Sequence, residues 1–286
     1  MDDVRPIEPQ DLGAVMSLVD ELGWQGYSTS DLALVMRVSP EHCFKLVAGG
    51  RLVGAMFALT VARVTYISFF IVQQAHRSFR ASRALAAACL DSVRTRSDLI
   101  VVYANKRAVT AYERVGFKPL HLVTRVRVAA GEAVAGDSMS SPNGEIGPVD
   151  VDEVAALDRR CYRVDRAALL RGLSVYDGAE FFGYRRTGES PLEGAAFVRR
   201  CGGDYLVGPL LATDDGVAVR LLHGVVGRLP ARRAVLELNR ESPGVRGSSA
   251  LSFEETTVAV RKMYCGREEL LEDDELLHAV GGHHFS

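Results

Sequence analysis

The stretch that decides the fold is Leu99 to Phe117, LIVVYANKRAVTAYERVGF. It opens with Leu99–Tyr103, a short apolar run rich in β-branched residues, which predicts a strand covered on both faces. After Asn105, residues of one helix face recur at helical spacing: Ala108, Ala111, Tyr112 and Val115. Gly116 then provides the backbone freedom with which helices commonly end. The stretch therefore predicts a buried strand, a turn at Asn105 and a short helix that carries Tyr112.

The composition is that of an ordinary globular protein. Of 286 residues, 48% are apolar and 24% are charged, and the formal net charge is −2. This balance predicts neither a nucleic-acid partner nor binding to an anionic membrane. No apolar run approaches the length that crosses a bilayer, and Met1-Asp2-Asp3 lacks the basic and apolar regions of a signal peptide. We therefore expect a cytoplasmic protein, long enough for one large domain or two ordinary ones.

The cysteines predict neither disulfides nor a metal site. They are odd in number and scattered through apparent helices and strands: Cys43, Cys89, Cys161, Cys201 and Cys265. This distribution is typical of reduced thiols in the core of a cytosolic protein. No two cysteines are close together and no spacing of cysteine and histidine fits zinc, so we expect no metal.

A stretch rich in glycine and serine divides the chain. Residues 129–148, AAGEAVAGDSMSSPNGEIGP, are small and polar without apolar periodicity, which is typical of a linker. The flanking segments, 1–128 and 149–286, each have a normal domain size. Their order of elements is similar, and the strands LIVVYAN and AVLELN both end on an asparagine, Asn105 and Asn239. We interpret this similarity as an internal duplication.

Each half is predicted to be an α/β domain. In the first half we expect strands at Val4–Ile7, Phe44–Val47, Leu52–Leu59, Val64–Val72, Leu99–Tyr103 and Leu120–Val128, with helices from Leu12, over Ser30–Val38 and over Phe79–Arg94. In the second half we expect strands at Phe181–Tyr184, Gly194–Val198, Tyr205–Leu211, Ala234–Leu238 and, last, Thr256–Tyr264, with helices at Val151–Leu157, Arg166–Leu173 and Gly216–Arg228.

The segment from Leu99 to Phe117 resembles the distal acyl-CoA-binding segment of the GNAT N-acetyltransferase superfamily, in its order of strand, Asn, Ala, Tyr and Gly-Phe. The resemblance implies a central mixed, mostly antiparallel sheet flanked by helices, and acetyl-CoA as co-substrate. It also implies that Tyr112 protonates the departing CoA thiolate, a role that a phenol can fill. Asn105 either bonds the pantetheine arm or only terminates its strand. The resemblance assigns polarisation of the thioester carbonyl and pairing with pantetheine to backbone amides of an earlier strand, at Phe70, Ile71 and Val72.

The superfamily binds the CoA pyrophosphate at an Arg/Gln-x-x-Gly-x-Gly/Ala turn, where unpaired amides and the helix dipole meet the phosphates. The matching stretch here is Arg77-Ser78-Phe79-Arg80-Ala81-Ser82, in which Arg80 and Ser82 replace the glycines. Arg80 either takes the space of a phosphate or forms a cationic rim with Arg77 and Arg83. A third interpretation is that the arginines form a solvated helix face.

Further motifs resemble a tandem group within the superfamily. Gly23-Trp24 matches its N-terminal domain, and three stretches resemble its C-terminal domain: Asp165–Leu170, Val207–Leu210 and Arg261–Gly266, the last with Lys262 inserted. Trp24 either floors a pocket for the acceptor or packs in the core. The second half has no glycine-rich phosphate loop, and Asp214 and Asp215 there fit a helix cap better than a pyrophosphate site. We therefore expect at most one CoA site, in the first domain.

The general base is not visible in the sequence. Many enzymes of the superfamily carry a glutamate on the strand before the phosphate loop, but Val64–Phe70 contains none. Candidates from elsewhere are Asp20, Glu21, His76 and Asp165, and deprotonation through a water chain is an alternative.

The resemblance implies transfer of an acetyl group from acetyl-CoA to a primary amine by direct attack. A small-molecule amine is preferred to a protein, because no acidic run would recruit basic tails. Two alternatives stay open. One is a non-catalytic binding or regulatory protein that has lost CoA binding, which Arg80 and the missing glutamate would explain. The other is an acyltransferase for a longer acyl chain. A homodimer also stays open.

Overall fold

The stretch quoted first folds as predicted. Strand β5 (Leu99–Ala104) is almost entirely buried, and the helix α4 (Val109–Glu113) ends before Gly116, whose φ of 97° requires a glycine-like backbone.

The computed structural model describes residues 3–24, 27–130, 144–201, 203–230, 232–239 and 242–281. The chain forms two compact units. The first contains residues up to Val102 together with Tyr264–Glu268, and the second contains Tyr103–Met263 and residues 269–281.

The first unit is a mixed, mostly antiparallel sheet with helices packed on it, which confirms the predicted fold class. Its strands are β1 (Asp3–Pro6), β2 (Cys43–Ala48), β3 (Arg51–Val61), β4 (Val64–Val72) and β5, and they follow one another in this order across the sheet. Strands β1 to β4 are paired antiparallel, and β4 and β5 are parallel. The helices α1 (Leu12–Glu21), α2 (Thr29–Val38) and α3 (Phe79–Arg94) all pack on β3.

Strand β4 pairs with β3 along its length but with β5 along only half of it. The register with β5 joins Val64–Ile67 to Leu99–Val102. On the other side, Phe57 lies opposite Phe69 but Ala58 opposite Ile67, so Ser68 is an extra residue and forms a β-bulge. Within the described residues, the C-terminal half of β4 therefore has an edge to which β5 does not pair.

The second unit is a longer sheet covered by helices. In spatial order its strands are β12 (Leu251–Gly266), β6 (Lys118–Ala130), β11 (Arg233–Asn239), β13 (Leu277–Val280), β10 (Asp204–Ala212), β9 (Gly194–Cys201), β8 (Glu180–Arg185) and β7 (Glu145–Pro148). The helices are α5 (Val151–Tyr162), α6 (Ala167–Ser174), α7 (Asp215–Arg228) and α8 (Pro243–Arg246). The apolar face of α7 fills the core against this sheet.

The expectation that Thr256–Tyr264 forms the last strand is wrong, because β13 follows it. Strands β10 and β11 pair directly at Leu206 and Val235, and β13 then lies between them. Ala279 of β13 pairs with Leu210 on one side and with Leu238 on the other. A four-residue segment has too little periodicity to predict a strand, and here the two neighbouring edges supply its hydrogen bonds.

The predicted linker, 129–148, is too long at both ends. Strand β6 continues to Ala130, because it pairs with β11 as far as Ala129 and Arg233. Strand β7 lies in the other end of the stretch and pairs with β8 from Glu145 to Pro148. The intervening residues, 131–143, lie outside the described part of the chain.

Three of the five cysteines are buried free thiols, in agreement with the prediction of reduced core thiols: Cys43, Cys89 and Cys161. Burial raises the pKa of Cys89 to about 12, so this thiol is unreactive at neutral pH. Cys265 is partly exposed and also free.

Candidate active site

The open edge of β4 presents backbone donors. The Gln73 amide donates to Val53 O of β3 at 2.8 Å. Because amides alternate in direction along a strand, the Ile71 N–H also faces β3, whereas the N–H groups of Phe70 and Val72 face the opposite edge. Two of the three predicted carbonyl-polarising amides therefore lie on the side to which β5 no longer pairs, and Ile71 contributes a buried side chain.

The predicted phosphate loop lies directly after this strand, at the N-terminus of the 16-residue helix α3. Ser78 caps the helix by accepting from the Ala81 N–H at 3.1 Å, and the Ser82 amide donates to the Ser78 carbonyl at 3.1 Å. The amides of Phe79 and Arg80 have no acceptor among the described residues. They are the donors that a helix N-terminus can offer to an anion.

The arginines of this loop differ in their contacts. Arg77 donates from Nε to the carbonyl of Val72 at 2.8 Å, which ties the loop to the end of β4. Arg80 is exposed, and within the described chain it takes part in no ion pair. Arg83, one turn further along α3, is also exposed. At the position where the resemblance predicts a glycine, the surface at the start of helix α3 therefore carries the cationic side chain of Arg80.

Asn105 and Tyr112 belong to the second unit. Asn105 Oδ1 accepts from the amides of Arg107 and Ala108 at 3.0 and 3.1 Å, so it shapes the turn that starts α4. This turn ends strand β5, which is one of the two roles left open for Asn105. The Nδ2 of Asn105 has no acceptor among the described residues. Tyr112 is half-buried on α4, with its ring edge-to-face against Phe117 at a centroid distance of 5.3 Å.

Trp24 is part of an aromatic cluster in the first unit. Its ring lies 5.8 Å from that of Tyr27 and 5.6 Å from that of Phe69, and Tyr27 and Phe69 are 5.3 Å apart. Phe69 is buried on β4 next to Phe70, whereas Trp24 and Tyr27 are half-exposed. Trp24 is predictable from its motif, whereas Tyr27 and Phe69 are not, because ring contacts between distant elements leave no spacing signal.

The four candidate bases have different surroundings. Glu21 is exposed and accepts from Gln73 Nε2 at 3.0 Å, so it is held beside the end of β4. Asp165 is exposed, accepts from the Ala167 amide and pairs with Arg159. These contacts lower the pKa of Asp165, which makes it a weaker proton acceptor. Asp20 is exposed and His76 half-exposed, and their side chains form no hydrogen bond or ion pair with another described residue.

In the second unit, β10, α7 and β11 repeat the order strand, helix, strand that β4, α3 and β5 have in the first. Strand β13, however, pairs with both β10 and β11, so the edge of β10 is already occupied. A Cβ atom on Gly208 of β10 would lie 2.1 Å from the Val280 carbonyl oxygen, so only glycine admits the strand there. Asp214 caps α7 by accepting from the Val217 amide at 2.8 Å, as predicted. Asp215 instead faces His278 of β13, with Oδ1 3.4 Å from Nδ1.

Two further features bear on function. No group of three or more His, Cys, Asp or Glu residues in the described part of the chain is arranged to hold a metal ion. Among the described helices, none is both long and apolar enough to cross a membrane.

Two family models match the sequence, and both describe an acetyltransferase (GNAT) domain. One covers residues 26–128 and the other residues 154–279, so together they account for most of the chain. No curated protein sequence matches the chain significantly.

Several solved structures are similar in fold over nearly the whole chain. A candidate acetyltransferase from Pyrococcus horikoshii has a TM-score of 0.78 and 17% identity, covering 100% of this chain and 96% of that one. A tandem GNAT protein from the clavulanic acid biosynthesis pathway has a TM-score of 0.63 and 14% identity, covering 93% and 98%. A GCN5-related N-acetyltransferase from Sphaerobacter thermophilus has a TM-score of 0.61 and 13% identity, covering 92% and 95%. At these identities, the likeness concerns the fold alone.

Proposed function

Because this chain belongs to the GNAT acetyltransferase superfamily and carries two such domains in tandem, we propose that it transfers an acetyl group from acetyl-CoA to a primary amine. The family supports acyl transfer in general. Acetyl-CoA as the donor, a small molecule as the acceptor and a site in the first domain, 1–128, are parts of the proposal.

The observation that carries the proposal is the open edge of β4 followed by the N-terminus of α3. Amides at Phe70 and Val72 would pair with the pantetheine arm and polarise the thioester carbonyl. The unpaired amides of Phe79 and Arg80 would meet the pyrophosphate, assisted by the cationic side chains of Arg77 and Arg80. In this interpretation, Arg80 contributes positive charge in place of the close backbone approach that a glycine allows.

The reaction is a direct displacement. The neutral amine forms a C–N bond with the thioester carbonyl carbon, the C–S bond breaks, and Tyr112 gives its proton to the departing thiolate. The amide nitrogen then loses its extra proton, which restores the phenol. Asn105, through Nδ2, is proposed to bond the pantetheine arm.

The aromatic cluster of Trp24, Tyr27 and Phe69 is proposed to receive the acceptor. It adjoins β4, and its two half-exposed rings would cover an apolar or aromatic substituent or attract the cationic amine. The carboxylate of Glu21 lies at the same strand end, where Gln73 holds it, and it adds attraction for the cation. A small amine with an apolar substituent fits these properties.

One acyl-CoA per chain is the stoichiometry we propose. The occupied edge in the second unit and the acidic start of α7 at Asp214 and Asp215 both oppose a second cofactor.

Calorimetric titration of the protein with acetyl-CoA tests the proposal. We expect saturable binding of one equivalent that weakens with salt, because phosphate contacts to exposed cations are screened. Arg77→Ala should weaken binding about 10-fold or more, whereas Arg94→Ala, at the other end of α3, should leave it unchanged. Arg80→Gly should leave the affinity similar or reduced.

Each contrary outcome has a distinct meaning. No binding at millimolar acetyl-CoA would contradict the proposed function and favour a non-catalytic protein. Restoration of binding by Arg80→Gly would show that Arg80 blocks the phosphate loop. Tighter binding of longer acyl-CoA thioesters would keep the reaction class and change the donor.

A further inference from the structure

A cleft of about 540 Å³ lies in the first unit, at the edge of its sheet formed by β1. It is lined by Asp3 and Arg5 of β1, by Lys45 of β2 and by Asp11, the residue before α1. Its volume lies within the roughly 300–1,000 Å³ of typical small-molecule sites. Strand β4 follows β3 in the sheet, and its open edge faces away from β3. The cleft is therefore separate from the proposed acyl-CoA site.

The strand register of β1 and β2 brings two cations opposite each other. Arg5 pairs with Lys45, and Asp3 pairs with Val47, so these side chains lie on one face of the sheet. Val47 in turn pairs with Leu52 of β3, and these two half-buried side chains form an apolar floor of the cleft. Like charges directly opposite each other on neighbouring strands destabilise a sheet. Arg5 and Lys45 therefore need compensating negative charge.

The inner cation, Lys45, is neutralised by the start of α1. Its Nζ lies 2.6 Å from Asp11 Oδ2 and 3.3 Å from Glu8 Oε2, and the lysine side chain is only 11% exposed. These contacts, the hydrogen bond with Asp11 first, raise the pKa of Lys45 above its usual value. Asp11 Oδ2 also accepts from the Glu8 amide at 2.8 Å. Lys45 therefore stays charged beside fixed acceptors and forms a rigid inner wall.

The outer pair, Arg5 with Asp3, is joined by one hydrogen bond. Arg5 Nε donates to Asp3 Oδ2 at 2.6 Å, and no described residue pairs with the Nη groups of Arg5 or with Asp3 Oδ1. Arg63 and Asp98, in contrast, form two parallel bonds, from Nε to Oδ2 and from Nη2 to Oδ1, both 2.6 Å long. The outer pair thus leaves N–H donors and a carboxylate oxygen side by side for a ligand.

The chemistry of these groups fits a small dipolar ion. Guanidinium N–H groups bind a carboxylate through short, charge-assisted hydrogen bonds, and a carboxylate oxygen accepts from an ammonium. The charges that line the cleft are balanced, with two carboxylates against two cations. A ligand that carries both charges next to each other therefore matches the outer pair better than an ion of one sign. The apolar floor adds contact for a hydrocarbon side chain.

We infer that the cleft binds a zwitterionic α-amino acid with an aliphatic side chain. Its carboxylate accepts from the Nη groups of Arg5, its ammonium donates to Asp3 Oδ1, and its side chain covers the apolar floor. In an α-amino acid, both charged groups are attached to one carbon, so they can meet neighbouring partners at the same time. The inference is independent of the proposed acyl transfer, because the amino acid is here a ligand of a separate site and not the acyl acceptor.

NMR spectroscopy of the full chain without acetyl-CoA tests where the amino acid binds. We expect leucine to shift the backbone amide resonances of Gly49 and Gly50 saturably, because this turn lines the cleft. The indole N–H resonance of Trp24, the only tryptophan, should not move, because this ring belongs to the cluster proposed for the acceptor. No saturable shift of the two glycines with tens of millimolar leucine would overturn the site. A shift of Trp24 alone would place leucine elsewhere and overturn it as well.

Ligands that lack one of the two charges test the recognition. The amine 3-methylbutylamine has no carboxylate, and 4-methylpentanoate has no ammonium, so each should bind about 10-fold more weakly than leucine. Arg5→Gln should weaken leucine binding about 10-fold without weakening that of 3-methylbutylamine. Asp3→Asn should weaken leucine binding without weakening that of 4-methylpentanoate.

Arg63→Gln is the matched control, because it removes an equally exposed arginine from an ion pair with aspartate in the same unit. It should leave the affinity for leucine unchanged. The urea midpoint of Arg5→Gln should barely move, since the pair is exposed, and this measurement shows that the variant is folded. Equal affinity for leucine and 3-methylbutylamine, or an unchanged leucine affinity in Arg5→Gln, would contradict the inference. Acetyl-CoA binding, measured separately, tests the proposed function and is unaffected by either result.

Discussion

The buried ion pair of Arg166 and Asp158 in the second unit has a structural role that the sequence around Arg166 does not indicate. Arg166 donates from Nε and Nη2 to the two oxygens of Asp158 at 3.1 and 3.0 Å, and both side chains are about 1% exposed or less. The guanidinium also lies 3.3 Å from the ring centre of Tyr162. The adjacent Asp165 is a surface residue. In the sequence motif Asp165-Arg166, the first residue is therefore exposed and the second is buried.

We predict that Arg166→Met lowers the free energy of unfolding by about 3–5 kcal/mol, because it leaves the Asp158 carboxylate buried without its partner. The double variant Asp158→Asn with Arg166→Met should recover much of this loss. Urea unfolding measures both. Arg171→Met, in the exposed pair with Asp152, is the control and should barely move the midpoint. A small effect of Arg166→Met alone would contradict the assigned role.

At the scale of elements, β13 is stabilised almost entirely by what surrounds it. Its four residues are buried between β10 and β11, and side chains hold it in addition, since Asn239 donates to Leu277 O and Ser242 donates to His278 O. The Leu276 carbonyl accepts from the Ala212 amide at 3.0 Å. The strand thus completes the hydrogen bonding of two edges that would otherwise be unpaired inside the sheet.

We predict that Gly208→Ala destabilises the protein by about 3 kcal/mol or more, because its Cβ atom would meet the Val280 carbonyl and β13 would have to move. Gly203→Ala, at the start of the same strand's hairpin, meets no atom within 4 Å and serves as the control. Hydrogen exchange of Ala279 and Val280 should accelerate in Gly208→Ala alone. Unchanged protection there would show that the strand is held in another way.

For the whole molecule, three buried or half-buried histidines make stability depend on pH. Burial lowers the pKa of His42, His121 and His278, so the unfolded chain binds more protons below about pH 6.5. The contribution of these neutral histidines to the free energy of unfolding is therefore fully present at neutral pH. It decreases as the pH falls through the histidine pKa of the unfolded chain toward the lower pKa values of the folded protein. The loss is at most about 1.4 kcal/mol per histidine and pH unit.

We expect urea midpoints to decrease between pH 7.5 and 5.5, and the decrease to be smaller in His42→Asn. The asparagine keeps a donor for Ser92 Oγ, which lies 2.9 Å from Nδ1 of His42, but it cannot take up a proton. An identical pH dependence in the variant would mean that His42 does not contribute.

Much of the candidate site was predictable, because its chemistry lies in contiguous segments. The ends of β4 and α3 agree with the boundaries expected from apolar periodicity, and Ser78 caps the helix at the predicted loop. The aromatic partners of Trp24 and the hydrogen bonds of Asn239 with His121 and Asp274 were not predictable. Tyr27 and Phe69 belong to different parts of the chain, His121 and Asn239 are 118 positions apart, and Asn239 and Asp274 are 35 positions apart.

By itself, the sequence determined the two α/β halves, the order of most helices and strands, and the family, because these follow from local periodicity, caps and short motifs. Only the tertiary structure decided that β13 lies between β10 and β11, that β6 pairs with β11, and that Asn239 and His121 are hydrogen-bonded. Strand partners and side-chain networks depend on which edges and buried polar groups remain unsatisfied once the chain is folded. No local pattern encodes that requirement.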